Sequence, residues 1–325
     1  MKTATVRCYP RLHVGLVDLA GATHRRFGGA GFMIAACETV VEARPEPRET
    51  LCGFDNREHR AMLDVQEALA RLRREFDIPP MRLTIREAPP EHIGLGSKTT
   101  LVLCALVAAL SAAELPLHRT TIQKASGRGG ASGVGVHAFF DGGFIVDAGH
   151  KGARGAPLLP SGATAPQSVP LLAVRHTVPE DWRFVLAIPE GCGQFSSTRE
   201  VQFFRDNTPV PKEECLQNLA TLYHGVLPAV QQADLSLLRE SLGELHRCGF
   251  KARELAAQPD VVKRVLGVLS PVSRVAAGLS SLGPVVYAVC SQEDVGHVSS
   301  ILGTVSDVAV LVVGPRNSGF EVHVQ

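Results

Sequence analysis

The stretch that most constrains this chain is a glycine- and hydroxyl-rich segment, residues 91–100, which runs directly into an apolar segment, residues 101–110. The first segment carries Gly94, Gly96 and Lys98 beside three hydroxyl side chains. This order is typical of a strand end, a glycine turn and a helix buried on all sides. Backbone N–H groups at such a helix start favour a bound anion, most simply a phosphate. An ordinary capped helix after a tight turn is the alternative.

The composition predicts two domains and excludes several classes of partner. The 325 residues exceed what one hydrophobic core usually serves. A net charge of +1 gives no basic excess for nucleic acid or an acidic membrane. The longest apolar run, residues 101–110, is too short to span a bilayer. Residues 1–5 lack the apolar segment of a signal peptide, so we expect a cytoplasmic protein.

Hydrophobic periodicity predicts a chain in which strands and helices alternate. We predict strands over residues 3–9, 11–19, 32–43, 81–87, 183–189, 285–290, 308–313 and 319–324. We predict helices over residues 56–76, 101–110, 120–126, 212–232, 233–247, 261–275 and 291–305. Residues 138–148 predict a strand–turn–strand unit, and residues 152–170 predict a mobile loop or linker. The order of elements favours a compact α+β fold.

Two N-terminal segments place ionisable side chains where a ligand could bind. Residues 11–18 put Arg11, His13 and Asp18 on a predicted strand, with plain solvent exposure as the alternative. Residues 24–31 put two arginines beside three glycines. Guanidinium groups match the geometry of phosphate and carboxylate, so this segment is a candidate oxyanion clamp. A hairpin turn with basic flanks is the other interpretation.

A third candidate segment is rich in glycine. Residues 127–135 contain five glycines, together with Arg128 and Ser132. Such a density indicates backbone held close to another group. Residues 147–151 add three ionisable groups at a strand end, and the polar residues 190–200 are a further candidate lining of the site.

Three segments in order resemble the GHMP superfamily of small-molecule kinases and their relatives. These are the polar strand of residues 11–18, the Gly-Leu-Gly-Ser loop and helix start of residues 94–100, and the Gly/Ser loop of residues 278–283. The resemblance implies a two-domain GHMP-kinase-like α+β fold. Its N-terminal ribosomal-protein-like α/β domain would cover residues 1–170, and its C-terminal ferredoxin-like α+β domain residues 171–325.

A finer resemblance is to the β-ribofuranosylaminobenzene 5′-phosphate synthases of methanopterin biosynthesis. The stretches that carry it are residues 11–18, 26–31, 132–135 with 142–147, and 279–287. Kinases of the superfamily usually have a glycine-rich loop where this chain has Ser-Ser-Leu-Gly-Pro at residues 280–284. Lys98 stands where kinases commonly have a second serine. A lysine at a helix start opposes the helix dipole unless an anion offsets it, which favours a pyrophosphate or sugar-phosphate site.

The resemblance implies a pentosyltransferase that joins phosphoribosyl pyrophosphate to 4-hydroxybenzoate or 4-aminobenzoate. Carbon dioxide and pyrophosphate would leave. Charge developing on the pyrophosphate needs cations and N–H donors, and Mg²⁺ is the usual partner of a diphosphate. An ATP-dependent GHMP kinase and a non-catalytic metabolite sensor of the same fold are the alternatives. We expect a homodimer that binds small molecules and neither nucleic acid nor membrane.

The candidate site residues fall into three groups. The catalytic candidates are Arg11, His13 and Lys98. The substrate- and phosphate-binding candidates are Arg26, Gly28, Gly29, Gly94, Gly96, Ser97, Thr99, Thr100, Arg128, Ser132, Gly133, Ser280, Ser281 and Gly283. Asp18 and Asp147 are candidates for Mg²⁺ or a ribose hydroxyl, with turn capping as the structural alternative. We expect Arg11, His13, Ser280 and Ser281 at the aromatic end, and the 94–100 loop on the diphosphate.

Overall fold

The described residues form three β-sheets, and the first and last of their strands both lie in the first sheet. The computed structural model describes residues 2–53, 59–90, 93–151, 157–163, 166, 168–191 and 197–325. The strands of the first sheet, in spatial order, are β14 (Glu321–Val324), β1 (Ala4–Cys8), β4 (Thr39–Pro45), β6 (Met81–Glu87) and β5 (Thr50–Cys52). Only the pairing of β5 with β6 is parallel among these described strands.

The apolar segment after the glycine turn forms the central helix α2 (Ser97–Ala112). Thirteen of its sixteen residues are buried, which explains why it has no polar face. It packs on β1 and β4 and against two helices, α1 (His59–Leu72) and α3 (Arg119–Ser126). Because α2 cannot shift without disturbing this core, its first turn is a rigid platform.

The second and third sheets contain the remaining described strands. The second contains β2 (Arg11–Asp18), β3 (Arg25–Met33), β7 (Phe144–Asp147) and β9 (Leu172–His176), with β8 (His150–Lys151) paired to β3. The third contains β11 (Ala276–Leu279), β12 (Val286–Ser291), β10 (Trp182–Pro189) and β13 (Val308–Val313). Neighbouring strands in both sheets are antiparallel.

The remaining helices cluster mainly in the C-terminal half. Their bounds are α4 (Val134–Asp141), α5 (Ser197–Asn207), α6 (Lys212–Thr221), α7 (Leu227–Gln231), α8 (Leu235–Arg247), α9 (Gly249–Ala256), α10 (Asp260–Leu269) and α11 (Val295–Leu302). A π-helical turn, Leu222–Val226, joins α6 to α7. The α+β class predicted from the sequence is confirmed. The division at residue 170 stays a prediction, since β9 pairs with β7 and β14 pairs with β1.

Two segments have a different secondary structure from the predicted one. The predicted strand over residues 32–43 is wrong, because β3 ends at Met33 and β4 begins at Thr39. The predicted strand–turn–strand over residues 138–148 is half wrong, because its first part is the helix α4. Short apolar runs do not separate a buried helix from a buried strand by periodicity alone. Among the described residues, no helix combines the length and apolar character that a bilayer span requires.

Two loops from distant parts of the chain interlock beside the first turn of α2. A Cβ added to Gly94 would lie 2.3 Å from the carbonyl oxygen of Ser280, and one added to Gly283 would lie 2.2 Å from the backbone nitrogen of Gly94. Both contacts are with backbone, which has little freedom to shift. The backbone N–H of Val285 also donates to the carbonyl oxygen of Ile93 at 3.4 Å. Only glycine at these two positions allows the loops to approach this closely.

Candidate active site

A cavity of ≈ 170 Å³ lies where the start of β2, the first turn of α2 and residues 281–283 meet. The predicted residues that line it are Arg11, His13, Gly94, Gly96, Ser97, Lys98, Thr99, Arg128, Ser132, Ser281 and Gly283. Three sequence segments that are distant along the chain therefore supply one cavity, which we take as the candidate active site.

The carbonyl oxygen of Gly94 joins these segments. It accepts hydrogen bonds from Nη1 of Arg11 at 2.6 Å and from Oγ of Ser280 at 2.7 Å. Ser280 is fully buried, and its Oγ also accepts from the backbone N–H of His13 at 2.9 Å. The Ser280 side chain therefore ties the loops together and does not line the cavity, contrary to the prediction that it contacts the aromatic substrate.

The first turn of α2 lies at the cavity wall, and within it the N–H of Thr99 donates to the carbonyl oxygen of Gly96 at 3.0 Å. Its N-cap is Gly96, with a φ of 75°, which has no side chain to accept hydrogen bonds from the first N–H groups. Ser97, Lys98 and Thr99 of this turn all line the cavity. Thr100 is buried and turns back on the helix, its hydroxyl donating to the carbonyl of Gly96 at 3.4 Å. The turn has the features of an anion site at a helix N-terminus.

Lys98 has an anionic partner within the protein. Its Nζ lies 3.1 Å from Oδ2 of Asp64 on α1, and both side chains are largely buried. Asp64 therefore offsets the unfavourable charge at the helix start, so Lys98 does not by itself require an external anion. The position of Lys98 at the helix start is therefore not evidence for a bound anion, although Lys98 still lines the cavity.

Two arginines add positive charge to the same wall. Nε of Arg128 donates to the hydroxyl of Thr99 at 3.2 Å, which holds Arg128 against the first turn of α2. Burial, together with the neighbouring charge of Arg128, lowers the pKa of Arg11 to about 10. Arg11 remains charged near neutral pH. A substrate carrying several negative charges would relieve the repulsion among these cations.

His13 lies at the cavity end of a buried chain of hydrogen-bonded side chains. Its Nε2 lies 3.0 Å from Oγ of Ser132, and that hydroxyl donates to Oδ2 of Asp147 at 3.2 Å. Burial lowers the pKa of His13 well below its ordinary value, and the charges of Arg11 and Lys251 act in the same direction. The imidazole is therefore neutral at pH 7. Its Nδ1 has no hydrogen-bond partner among the described residues.

Asp147 lies behind the cavity and does not line it. Burial raises the pKa of its carboxyl to about 7, while backbone N–H groups and the hydroxyl of Ser132 act in the opposite direction. One of these donors is the backbone N–H of Gly149, at 2.9 Å from Oδ1. The carboxyl group is thus engaged in fixing the loop that follows β7. The predicted Mg²⁺ role of Asp147 finds no support in these contacts.

Asp18, the other predicted metal ligand, caps the turn after β2. Its Oδ1 accepts from the backbone N–H groups of Ala20 and Ala22, at 3.1 and 3.0 Å. Its Oδ2 accepts from both the N–H and the hydroxyl of Thr23, each at 2.9 Å. Four hydrogen-bond donors thus occupy the Asp18 carboxylate, so turn capping explains this residue better than metal binding.

The cavity nonetheless suits a Mg²⁺ that arrives with its substrate. Within the described ranges, no group of three His, Cys, Asp or Glu side chains is placed to hold a metal ion. The wall does contain Glu200 and Glu254. Mg²⁺ in phosphate-using enzymes takes most ligands from substrate phosphates and water and adds one or two carboxylates. The available donors fit that mode of binding.

The predicted phosphate clamp of residues 24–31 does not reach the cavity. These residues form β3, and Nη2 of Arg26 donates to the carbonyl of Pro157 at 2.7 Å. Gly28 and Gly29 permit close strand packing, since a Cβ on Gly29 would lie 2.6 Å from the carbonyl oxygen of Gly15. Gly133 packs against Pro170 and does not line the cavity either.

Further side chains line the cavity beyond the individually predicted ones. The apolar ones are Leu16, Ala131, Phe204 and Leu282, and the acidic ones are Glu254 and Glu200, the latter from the predicted lining segment 190–200. Glu200 and Phe204 lie four residues apart on α5, and Phe250 and Glu254 lie four residues apart on α9. That helical spacing was the available signal, but neither helix was predicted. Of the segments predicted to be a loop or lining, residues 152–156, 164–165, 167 and 192–196 lie outside the described residues.

Comparison with known proteins defines the fold class. The GHMP kinases N terminal domain matches residues 64–143. The phosphomevalonate kinase of Streptococcus pneumoniae has a TM-score of 0.73 at 11% identity, over 97% of this chain and 100% of that one. A putative homoserine kinase from Listeria monocytogenes has a TM-score of 0.67 at 17% identity, over 98% and 99%. The chain therefore has the GHMP-kinase fold.

Full-length relatives define the family within that fold. The chain is 32% identical to the β-ribofuranosylphenol 5′-phosphate synthase of Methanothermobacter thermautotrophicus, over 95% of each chain. It is 31% identical to the synthase of the same name from Archaeoglobus fulgidus, over 98% of this chain and 99% of that one. The chain belongs to the β-ribofuranosylphenol 5′-phosphate synthase family, which confirms the resemblance drawn from its motifs.

Asp147 gives the protein a testable pH dependence. Because its folded pKa is raised to about 7, the stability contributed by the neutral form is present below about pH 4 and is lost as the pH rises to 7. Relative to Asp147→Asn, we expect the wild-type free energy of unfolding to fall by up to about 1.4 kcal/mol per pH unit across that window. Urea unfolding of both proteins from pH 5 to 8 measures it, and parallel profiles would contradict the assignment.

Proposed function

We propose that this protein transfers ribofuranose 5-phosphate from phosphoribosyl pyrophosphate to 4-hydroxybenzoate, with loss of carbon dioxide and pyrophosphate. The observation that carries the proposal is identity of 31–32% to named β-ribofuranosylphenol 5′-phosphate synthases over nearly the whole chain. A ribofuranosylphenol product requires an acceptor with a hydroxyl group, which favours 4-hydroxybenzoate over 4-aminobenzoate. The kinase alternative is disfavoured, because no kinase-type glycine-rich loop occupies residues 280–284.

The charge balance of this reaction matches the charges in the cavity. A C–C bond forms between the anomeric carbon and the ring carbon that held the carboxylate. The bond to pyrophosphate breaks, and its electron pair leaves with the diphosphate. The bond to the carboxyl carbon then breaks, and its pair restores the aromatic ring as neutral carbon dioxide departs. Negative charge therefore moves from the acceptor to the diphosphate, which must be met by cations and N–H donors.

The first turn of α2 brings together the positive charge and the N–H donors that a diphosphate needs. Lys98 and Arg128 provide positive charge there, and the N-terminus of α2 provides backbone donors. Removing one such donor from a preorganised site typically costs about 10²- to 10³-fold in rate. Mg²⁺ bound to the diphosphate would neutralise part of its charge and improve it as a leaving group. Glu200 would hold that ion together with the phosphate oxygens.

Arg11 and His13 line the cavity and would position the substrates. Arg11 is fixed by its hydrogen bond to Gly94, so its charge is positioned before the substrate binds. His13 is neutral, and because the Ser132 hydroxyl donates to Asp147, Nε2 of His13 donates to Ser132. Its Nδ1 is then an acceptor, which suits a hydrogen bond from a ribose hydroxyl. Fixing both substrates in a reactive geometry can supply roughly 7–11 kcal/mol of the barrier reduction.

The homodimer and the cytoplasmic location stay predictions. Light scattering of the purified chain would decide whether it is a dimer.

A single assay tests the proposed reaction. Purified protein is incubated with phosphoribosyl pyrophosphate, Mg²⁺ and carboxyl-labelled 4-hydroxybenzoate, without ATP. We expect labelled carbon dioxide and pyrophosphate to appear in equal amounts, because each turnover releases one of each. Formation of ADP from ATP with a small alcohol, and no labelled carbon dioxide under any condition, would show a kinase instead.

Lys98 and Asp64 give a matched pair of variants for the diphosphate site. Lys98→Ala removes the cation, and we expect the Michaelis constant for phosphoribosyl pyrophosphate to rise at least about tenfold while the fold survives. Asp64→Asn breaks the same ion pair but keeps the cation in the cavity, so that constant should stay the same or fall. Steady-state kinetics and thermal unfolding measure both effects. Unchanged kinetics in Lys98→Ala would mean that the diphosphate binds elsewhere.

A further inference from the structure

One wall of the cavity is apolar and comes from four separate segments. Leu16, Ala131, Phe204 and Leu282 line the cavity and belong to one buried hydrophobic cluster. The cationic residues Arg11, Lys98 and Arg128 line the same cavity but are not members of that cluster. A diphosphate gains nothing from apolar contacts, so this wall suits a different part of the substrates, namely a flat hydrophobic group.

A buried carboxylate lies beside this wall. Phe204 packs on Phe250 of α9, with ring centroids 4.8 Å apart. Glu254 follows Phe250 by one helical turn, so both side chains project from the same face of α9. Glu254 lines the cavity although only 2% of its surface is exposed. The apolar wall and the carboxylate are therefore neighbours in one subsite.

Lys251 holds the carboxylate in place. Its Nζ lies 2.5 Å from Oε2 of Glu254, and the two side chains are 1% and 3% exposed. The same ammonium donates to the carbonyl oxygen of Leu279 at 3.1 Å, which anchors α9 to the strand before the interlocked loop. A carboxylate that is held this rigidly offers a hydrogen-bond acceptor at a fixed position in the cavity.

We propose that Leu16, Phe204, Leu282 and Glu254 form the acceptor subsite, with the aromatic ring on the apolar wall and its 4-hydroxyl donating a hydrogen bond to Glu254. This inference rests on the proposed function and names the residues that choose the acceptor. It replaces the expectation that Ser280 contacts the aromatic end, because Ser280 is fully buried and bonded to Gly94.

The subsite also agrees with the direction of charge movement. The acceptor enters as a carboxylate and leaves its carboxyl group behind as neutral carbon dioxide. Apolar surroundings disfavour a charged carboxylate relative to neutral carbon dioxide. An apolar wall on the acceptor side and cations on the diphosphate side therefore favour the same step. Glu254 adds little net charge to the acceptor side, because Lys251 lies against it.

Two probes that differ only in the hydroxyl test the hydrogen bond. They are 4-hydroxybenzenesulfonate and benzenesulfonate, in which the sulfonate cannot leave as carbon dioxide. Titration calorimetry with magnesium pyrophosphate present should show about 10- to 100-fold tighter binding of the hydroxylated probe to the wild type. The double variant Lys251→Met/Glu254→Met removes both charges together, so no buried charge is left unpaired. We expect its discrimination to fall to about threefold or less.

A matched double variant controls for damage to α9. Glu214→Met/Arg253→Met removes a second ion pair of this helix, whose atoms lie 2.7 Å apart and whose residues do not line the cavity. Wild-type discrimination should persist there. Full discrimination in the Lys251/Glu254 variant, or its loss in both variants, would overturn the assignment of Glu254.

Neighbouring phenylalanines test the apolar wall. Phe203 and Phe204 both pack on Phe250, but only Phe204 lines the cavity. Phe204→Ala should raise the Michaelis constant for 4-hydroxybenzoate at least about tenfold and leave that for phosphoribosyl pyrophosphate within about twofold, while Phe203→Ala changes neither. A rise for phosphoribosyl pyrophosphate instead would overturn the subsite. If the wild type discriminates between the sulfonates but releases no carbon dioxide, the proposed function fails and the subsite stands.

Discussion

The close approach of two loops at Gly94 is the constraint on which the rest of the site depends. The carbonyl oxygen of Gly94 accepts hydrogen bonds from Arg11 and from the fully buried Ser280. Gly283 completes the contact, because any larger residue there would collide with the backbone of residues 93 and 94. Segments separated by almost the whole chain are thereby fixed around the first turn of α2. The cavity exists because these loops cannot separate without losing buried hydrogen bonds.

The two halves of the chain make different contributions to this cavity. The N-terminal half supplies the cations Arg11, Lys98 and Arg128 together with the N-terminus of a buried helix. The C-terminal half supplies carboxylates and aromatic surface from α5 and α9. Structural likeness to kinases at 11–17% identity shows the fold alone. The chemistry depends on the side chains that each half brings to the cavity.

Motifs and tertiary contacts differed in how well they could be predicted. The helix start at residues 94–100 was predictable, because a glycine turn before an apolar helix has few other structures. The sequence predicts Gly28 and Gly29 as part of a phosphate clamp, whereas the structure packs both against backbone, since glycine indicates close approach without saying whether a ligand or a strand approaches. The partnership of Lys98 with Asp64, and the placement of Phe204 and Glu254, depend on how helices pack. A four-residue spacing indicates a shared helix face but not what that face packs against.

Diffraction from crystals can locate the diphosphate. Crystals of the full chain grown with magnesium pyrophosphate would show where the anion binds. We expect phosphate oxygens within hydrogen-bond distance, about 2.7–3.2 Å, of the N–H groups at the start of α2 and of Lys98 and Arg128. Density for the anion beside Arg26, on β3 and away from α2, would contradict it.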